Sequence, residues 1–208
     1  TPIASDPAAA PLSSFEGLSN LNNLLPPDPS GEIGPNHFVQ WVNTSLAIYD
    51  RAGNVLYGPT NGNTLWAGFG GGCETNNDGD PIVQYDAAAD RWLISQMGGS
   101  YNGSYYQCIA VSTTASPTGT YYQYAYSFGS YMNDYPKFGV WPTASNSAYL
   151  GTYNRFLNGS SFSGSSLCAY DRAAMLSGGN ATQICLETSL PSFLPADVDG
   201  ATPPTEAP

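Results

Sequence analysis

Gly34-Pro-Asn-His-Phe-Val-Gln-Trp-Val-Asn-Thr-Ser-Leu-Ala-Ile-Tyr-Asp-Arg-Ala-Gly-Asn-Val-Leu-Tyr57 is the stretch from which the fold is read. Phe38, Val39, Trp41 and Val42 are strand formers, and a second run from Leu46 to Tyr49 follows Asn43-Thr44-Ser45. Asp50-Arg51-Ala52-Gly53-Asn54 has the chemistry of a tight turn, because Gly and Asn tolerate positive φ. Val55 to Tyr57 resumes an extended run, which Gly58-Pro59 is expected to stop. The prediction is a meander of three short antiparallel strands.

The cadence returns twice. Phe38–Val42, Trp92–Gln96 and Ala148–Thr152 align as equivalent strands, starting at 38, 92 and 148, intervals of 54 and 56 residues. The next strands start near Leu46, Cys108 and Leu167, intervals of 62 and 59. Ile48-Tyr49-Asp50-Arg51-Ala52 and Ala169-Tyr170-Asp171-Arg172-Ala173 are nearly the same words at that point. Two markers with similar spacing define a repeat of four-stranded units. The second unit runs through Pro81–Tyr85, Arg91–Gln96, Tyr106–Val111 and Thr120–Tyr126, with Ser116-Pro117-Thr118-Gly119 as a hairpin turn. The third runs through Lys137–Trp141, Ala148–Tyr153, Ser166–Tyr170 and Gln183–Glu187.

Such a period with several short strands per unit points to an all-β chain of β-propeller blades, three of them over residues 36–194. Residues 1–35 read as an extended N-terminal arm, anchored by Phe15, Leu18, Leu21, Leu24 and Leu25. The spacing of Leu18, Leu21 and Leu25 also suits a helical turn or two. Residues 195–208 read as a Pro/Thr-rich, linker-like tail. A propeller ring closes with about four to eight blades. The expectation is therefore a partial propeller or processed fragment, completed by a second polypeptide or a like subunit. The alternative is an open or sandwich-like stack of sheets.

Composition bounds the function. Only 10% of the 208 residues are charged and the formal net charge is −11, a surface that repels nucleic-acid phosphates. No apolar run is long enough to span a membrane. The chain opens Thr1-Pro2-Ile3-Ala4, as a processed mature chain would. Four cysteines allow three pairings, of which the local ones, Cys73 with Cys108 and Cys168 with Cys185, tie neighbouring strands of one repeat. Disulfides and a polar, hydroxyl-rich composition point to a secreted, extracellular or cell-surface protein.

Pro26 to Asn43, Asp78-Gly-Asp-Pro-Ile-Val-Gln-Tyr-Asp86 with Asp90-Arg91-Trp92, and Asp134-Tyr-Pro-Lys-Phe-Gly-Val-Trp-Pro142 resemble a family of mostly uncharacterised secreted bacterial β-propeller-like proteins. The resemblance spans roughly residues 15–200. In that family the segment resembling Leu194 to Pro204 leads into more blades, and its members are often attached to other extracellular modules. The resemblance implies a fold and no assigned activity.

Several constellations are candidates for chemistry. Asn76, Asp78 and Asp80 alternate oxygen side chains around Gly79, a pattern suited to Ca²⁺, with Asp86 or Asp134 completing the set; the plainer reading is a hydrated Asx-rich turn. Tyr49-Asp50, Tyr85-Asp86 and Tyr170-Asp171 bring to mind paired carboxylates, but their repetition favours a turn device at strand ends. No sialidase-type Asp box is present, and His37, the sole histidine, has no nucleophile motif to serve. Asp134-Tyr135-Pro136-Lys137 holds the only lysine beside an acid and a phenol, either a binding site near a central channel or a pin at the start of an inner strand.

Tyr101, Tyr105 and Tyr106, with Tyr121, Tyr122, Tyr124, Tyr126 and Tyr131, crowd one unit beside Asn102, Gln107 and Gln123. Flat rings alternating with amides suit a glycan or a protein partner, or else ordinary packing between blades. Asn43, Asn102, Asn158 and Asn180 head N-glycosylation sequons. The function expected from all this is a non-catalytic extracellular module for binding or surface assembly. The competing expectation is a hydrolase of polysaccharide or peptide using Asp80, Asp86, Asp134 and Lys137.

Overall fold

The computed structural model describes residues 13–143, 147–200 and 202–206. Within them lie three four-stranded antiparallel sheets, each a meander in chain order. The first comprises β1 (Pro29–Ile33), β2 (His37–Val42), β3 (Ser45–Asp50) and β4 (Val55–Asn61). The second comprises β5 (Ile82–Asp86), β6 (Arg91–Tyr101), β7 (Ser104–Ser112) and β8 (Tyr121–Gly129). The third comprises β9 (Tyr131–Trp141), β10 (Ala148–Leu157), β11 (Ser161–Asp171) and β12 (Gln183–Thr188). Helical pieces are brief: a 3₁₀ turn at Gly62–Trp66, α1 (Gly71–Thr75) and α2 (Arg172–Ser177). The first strands of the sheets lie side by side, β5 between β1 and β9.

Three sequence expectations change. Pro29–Ile33, assigned to the arm, is strand β1, paired with β2 from Pro29↔Val42 to Ile33↔Phe38. Proline is tolerated because it opens the strand. Nor does Gly58-Pro59 end β4, which bulges there and continues along the sheet's outer edge to Asn61. No helical turn forms at Leu18–Leu25: Leu18 is buried, while Leu21, Leu24 and Leu25 are exposed. Residues 1–12 of the expected arm, and 201, 207 and 208 of the expected tail, lie outside the described residues.

The ladders fix which residues are equivalent. One row runs Ser30–Trp41–Leu46–Thr60 in the first sheet, Ile82–Ser95–Ile109–Tyr124 in the second and Lys137–Thr152–Leu167–Leu186 in the third. The next row on the same face runs Glu32–Val39–Ile48–Tyr57, Gln84–Leu93–Val111–Tyr122 and Gly139–Leu150–Ala169–Ile184. Phe38 and Trp92 are thus matched by Tyr149, and Leu46 by Ile109, so the sequence alignment was one residue out at Ala148 and at Cys108. In a strand that slip exchanges the two faces.

Correctly phased, the packing repeats. Val39, Trp41, Leu46 and Ile48 meet Val83, Trp92, Ile94 and Ala110 of the second sheet. That sheet's opposite face, Leu93, Ile109 and Val111, meets Phe138, Val140, Tyr149, Cys168 and Tyr170 of the third. Gly62 lies against the Trp41 indole, where any Cβ would overlap the ring. The back of the first sheet is covered by the arm: Leu18 packs on Val42, Ala47 and Tyr49, and its N–H donates to Gln40 Oε1 at 2.6 Å.

Both expected disulfides form. Cys73–Cys108 ties α1 to β7, and Cys168–Cys185 joins directly opposed residues of β11 and β12. Among the described residues no helix is long and apolar enough to cross a membrane.

Candidate functional site

A proline stands at matching points of the three first strands: β1 begins on Pro29, β5 just after Pro81, and Pro136 sits at a bulge within β9. A proline in this place fixes φ and asks for no ladder hydrogen bond. Because the strands lie side by side, the starts of β1 and β5 and the bulge of β9 converge on one pocket of about 340 Å³, lined by Asp28, Ser30, Asp80, Tyr135 and Lys137 among others. Asp80 and Tyr135 both hold positive φ, +46° and +53°, which is rare for side chains other than Gly and Asn and costly for a bulky one. The Tyr135 N–H donates to Asp80 Oδ2 at 3.2 Å, so the two strained residues hold each other. Tyr135 stays 49% exposed, and the Lys137 ammonium sits 3.9 Å from its ring centroid.

The electrostatics follow from the crowding. Burial pushes the Asp80 carboxyl above the usual carboxylate range, and Asp134 and Asp28 push it further, against the Tyr135 N–H hydrogen bond and a smaller pull from Lys137. Burial likewise raises Asp134, with Asp28 adding to it and the Tyr135 N–H opposing. The result is a pocket rich in carboxylate oxygens, with one ammonium and one open phenol face. These groups can hydrogen-bond hydroxyls and lie against the flat face of a ring.

The sequence-predicted residues divide between this place and others. Asp80 and Lys137 line the pocket and Asp134 adjoins it. Asp86, at the far end of β5, is fully buried and tied to Arg172, whose Nε donates to Oδ2 at 2.6 Å and Nη2 to Oδ1 at 2.9 Å. The Tyr149 hydroxyl donates to the same Oδ2 at 2.9 Å. That carboxylate clamps the second sheet to the third and is closed to substrate.

Asn76, Asp78 and Asp80 do not converge either. Asn76 Nδ2 donates to the Gly98 carbonyl at 2.7 Å, and Asn76 and Asp78 crowd Gly99 on β6, while Asp80 turns to Tyr135. Among the described residues no group of three or more His, Cys, Asp or Glu side chains is arranged to hold a metal ion.

The repeated Tyr-Asp pairs also separate. Asp50 and Asp171 close strand ends, accepting from Ala52 and Asn54 N–H in one case and capping α2 through Ala174 N–H in the other. Tyr101, Tyr105 and Tyr106 are half-buried and do not line the pocket. Tyr124 and Tyr126 serve packing: their hydroxyls donate to Gly179 and Ala181 carbonyls, across to the third sheet. Of the sequon asparagines, Asn102, Asn158 and Asn180 are exposed; Asn43 is buried, its Nδ2 held by the Pro26 carbonyl at 2.9 Å.

Asp28 was missed by the sequence reading, although the Asp-Pro shared by residues 28–29 and 80–81 carries the signal. No family model, curated protein or solved structure matches the chain.

Proposed function

We propose that the three sheets are consecutive blades of a β-propeller, and that the protein is a non-catalytic extracellular module for binding or assembly, completed by blades outside this three-sheet unit. One observation supports the reading most. Equivalent positions of the three first strands, Ser30, Ile82 and Lys137, meet at one pocket, as the innermost strands of blades do around a central channel. Propellers commonly bind at such channel mouths, and the ligand class that suits this one is a glycan: hydroxyls for Asp28, Asp80 and Lys137, a sugar face for Tyr135. Two disulfides suit an oxidising compartment.

The test is isothermal titration with soluble plant, fungal and bacterial oligosaccharides. Binding that weakens about tenfold or more in both Tyr135→Ala and Asp80→Asn, a loss of about 1.4 kcal/mol, supports the module. A ligand that binds equally well to both variants rules the pocket out. The raised carboxyls of Asp80 and Asp134 favour one second reading, a hydrolase acting on the same class of ligand. New reducing ends released by the wild type and lost in Asp80→Asn would replace binding with catalysis.

A further inference from the structure

The face that Val39, Trp41, Leu46 and Ile48 form on the first sheet, and Leu93, Ile109 and Val111 on the second, is buried at 0–1% relative exposure against the next sheet. On the third sheet the equivalent rows are Leu150–Ala169–Ile184 and Thr152–Leu167–Leu186, apolar except for Thr152. Among the described residues no sheet covers them. Residues 190–198 cross only part of this face: Thr152 Oγ1 donates to the Phe193 carbonyl, Ser165 Oγ to that of Leu190, and Ala196 lies on Gly139. Ile184 and Leu186 are left 70% and 72% exposed.

The two formed interfaces show what such a face accepts. Its mate carries an aromatic on the second strand (Trp92, Tyr149) and a small residue on the third (Ala110, Cys168). The first sheet carries the same set on its back, Phe38 with Ala47 and Tyr49. That back is covered by the arm alone, and loosely: Phe15 is 37% exposed, and a cavity of about 550 Å³ lies between the arm and Phe38, Gln40 and Ile33.

We propose that the open face of the third sheet docks the back of the first sheet of a second copy of this chain, the arm being displaced. The contact is heterologous, head to tail, and closes a ring if the rotation allows. It continues the sheet-on-sheet stacking already present within the chain, and so rests on the propeller reading given above.

The experiment is sedimentation velocity and light scattering on the full chain over roughly 1 to 100 µM, in salt high enough to screen the acidic surface. The expected result is reversible association beyond the 21.9 kDa monomer. Leu186→Glu should weaken it at least about tenfold, and Phe15→Ala, which loosens the arm, should strengthen it. Mixing Leu186→Glu with Phe38→Glu, each monomeric and folded by circular dichroism, should restore a one-to-one dimer, since each copy retains the face the other lacks. A chain that stays monomeric, also as Phe15→Ala, overturns the proposal. So does association indifferent to Leu186→Glu, or a mixture that fails to complement, as a back-to-back contact would. A monomer that still binds oligosaccharide sinks this inference alone; an associating chain that binds none sinks only the ligand reading.

Discussion

The interface between the first and second sheets and that between the second and third share one register and are built from different chemistry. The first is largely apolar: Val39, Trp41, Leu46, Ile48, Trp66, Trp92 and Ile94 meet, and its few polar contacts include the Val83 N–H donating to Ser30 Oγ at 3.0 Å. The second is tyrosine-rich, with Tyr149, Tyr153 and Tyr170 buried beside Phe138 and half-buried Tyr124 and Tyr126. Its hydroxyls are satisfied: Tyr153 and Tyr170 bond each other at 2.7 Å, and Tyr149 joins the Asp86–Arg172 pair. Burial pushes the Tyr149 phenol far above its ordinary value, with Asp86 adding to it, so it donates at every physiological pH. Apolar shape dominates the first interface, whereas the second also depends on buried polar groups finding the right partners.

That contrast breaks in two ways. Arg172→Met leaves the Asp86 carboxylate buried without its cation, and should cost about 3–5 kcal/mol in urea unfolding, whereas the double variant Asp86→Leu/Arg172→Met should recover most of it. At the first interface Trp41→Ala should cost a similar amount, about 3–5 kcal/mol, but no second substitution of a polar partner will rescue it. If Arg172→Met costs under about 1 kcal/mol, the polar clamp is decoration and the two interfaces are alike. The disulfides come next. Cys73–Cys108 closes a separation of 35 residues and Cys168–Cys185 one of 17. Loop-closure entropy gives about 4 kcal/mol for the first and about 3 for the second. Paired Cys→Ala variants compared by thermal unfolding check the order.

The two interfaces also explain what the sequence allowed to be read. Strand positions stood out because β-branched and aromatic residues cluster between turn formers, as in Phe38–Val42 and Trp92–Gln96. Their phase did not. Trp92, Leu93 and Ile94 are apolar in succession because both faces of the second sheet are buried, and without alternation nothing marks which residue points where. Strand β1 was hidden because Pro29 and Gly31 read as punctuation, and only pairing with β2 makes them strand.

At the candidate site, Asp134 and Lys137 were legible as neighbours in sequence, whereas the approach of Asp28 depends on three first strands meeting in space. Asp86 was misjudged for the same reason: its partner, Arg172, lies 86 residues away. Local chemistry is written locally, and convergence is not.

The smallest expected effect sharpens the contrast between a carboxylate held by turn hydrogen bonds and one crowded in the pocket. Asp50 is held below its usual range by Asn54 first, through side chain and N–H, and by Ala52 N–H. Its folded pKa is depressed, so the stability it lends is present above the unfolded value and lost as pH falls through the folded one. Asp80 is raised by burial and by Asp134, so the native state holds its proton more tightly than the unfolded chain. Its contribution is greatest below the unfolded value, near pH 4, and is lost as pH rises through the folded value. Asp50→Asn should therefore lower the melting temperature at pH 7 and leave it unchanged well below pH 4. Asp80→Asn should raise it at pH 7, by no more than the equivalent of about 0.5 kcal/mol given partial exposure, and do least in acid. Asparagine can still accept from the Tyr135 N–H and also suits the positive φ of residue 80, so the part of the gain that disappears in acid is the part that reports charge. Equal shifts of one sign in both variants would mean that the pocket does not crowd its carboxylates.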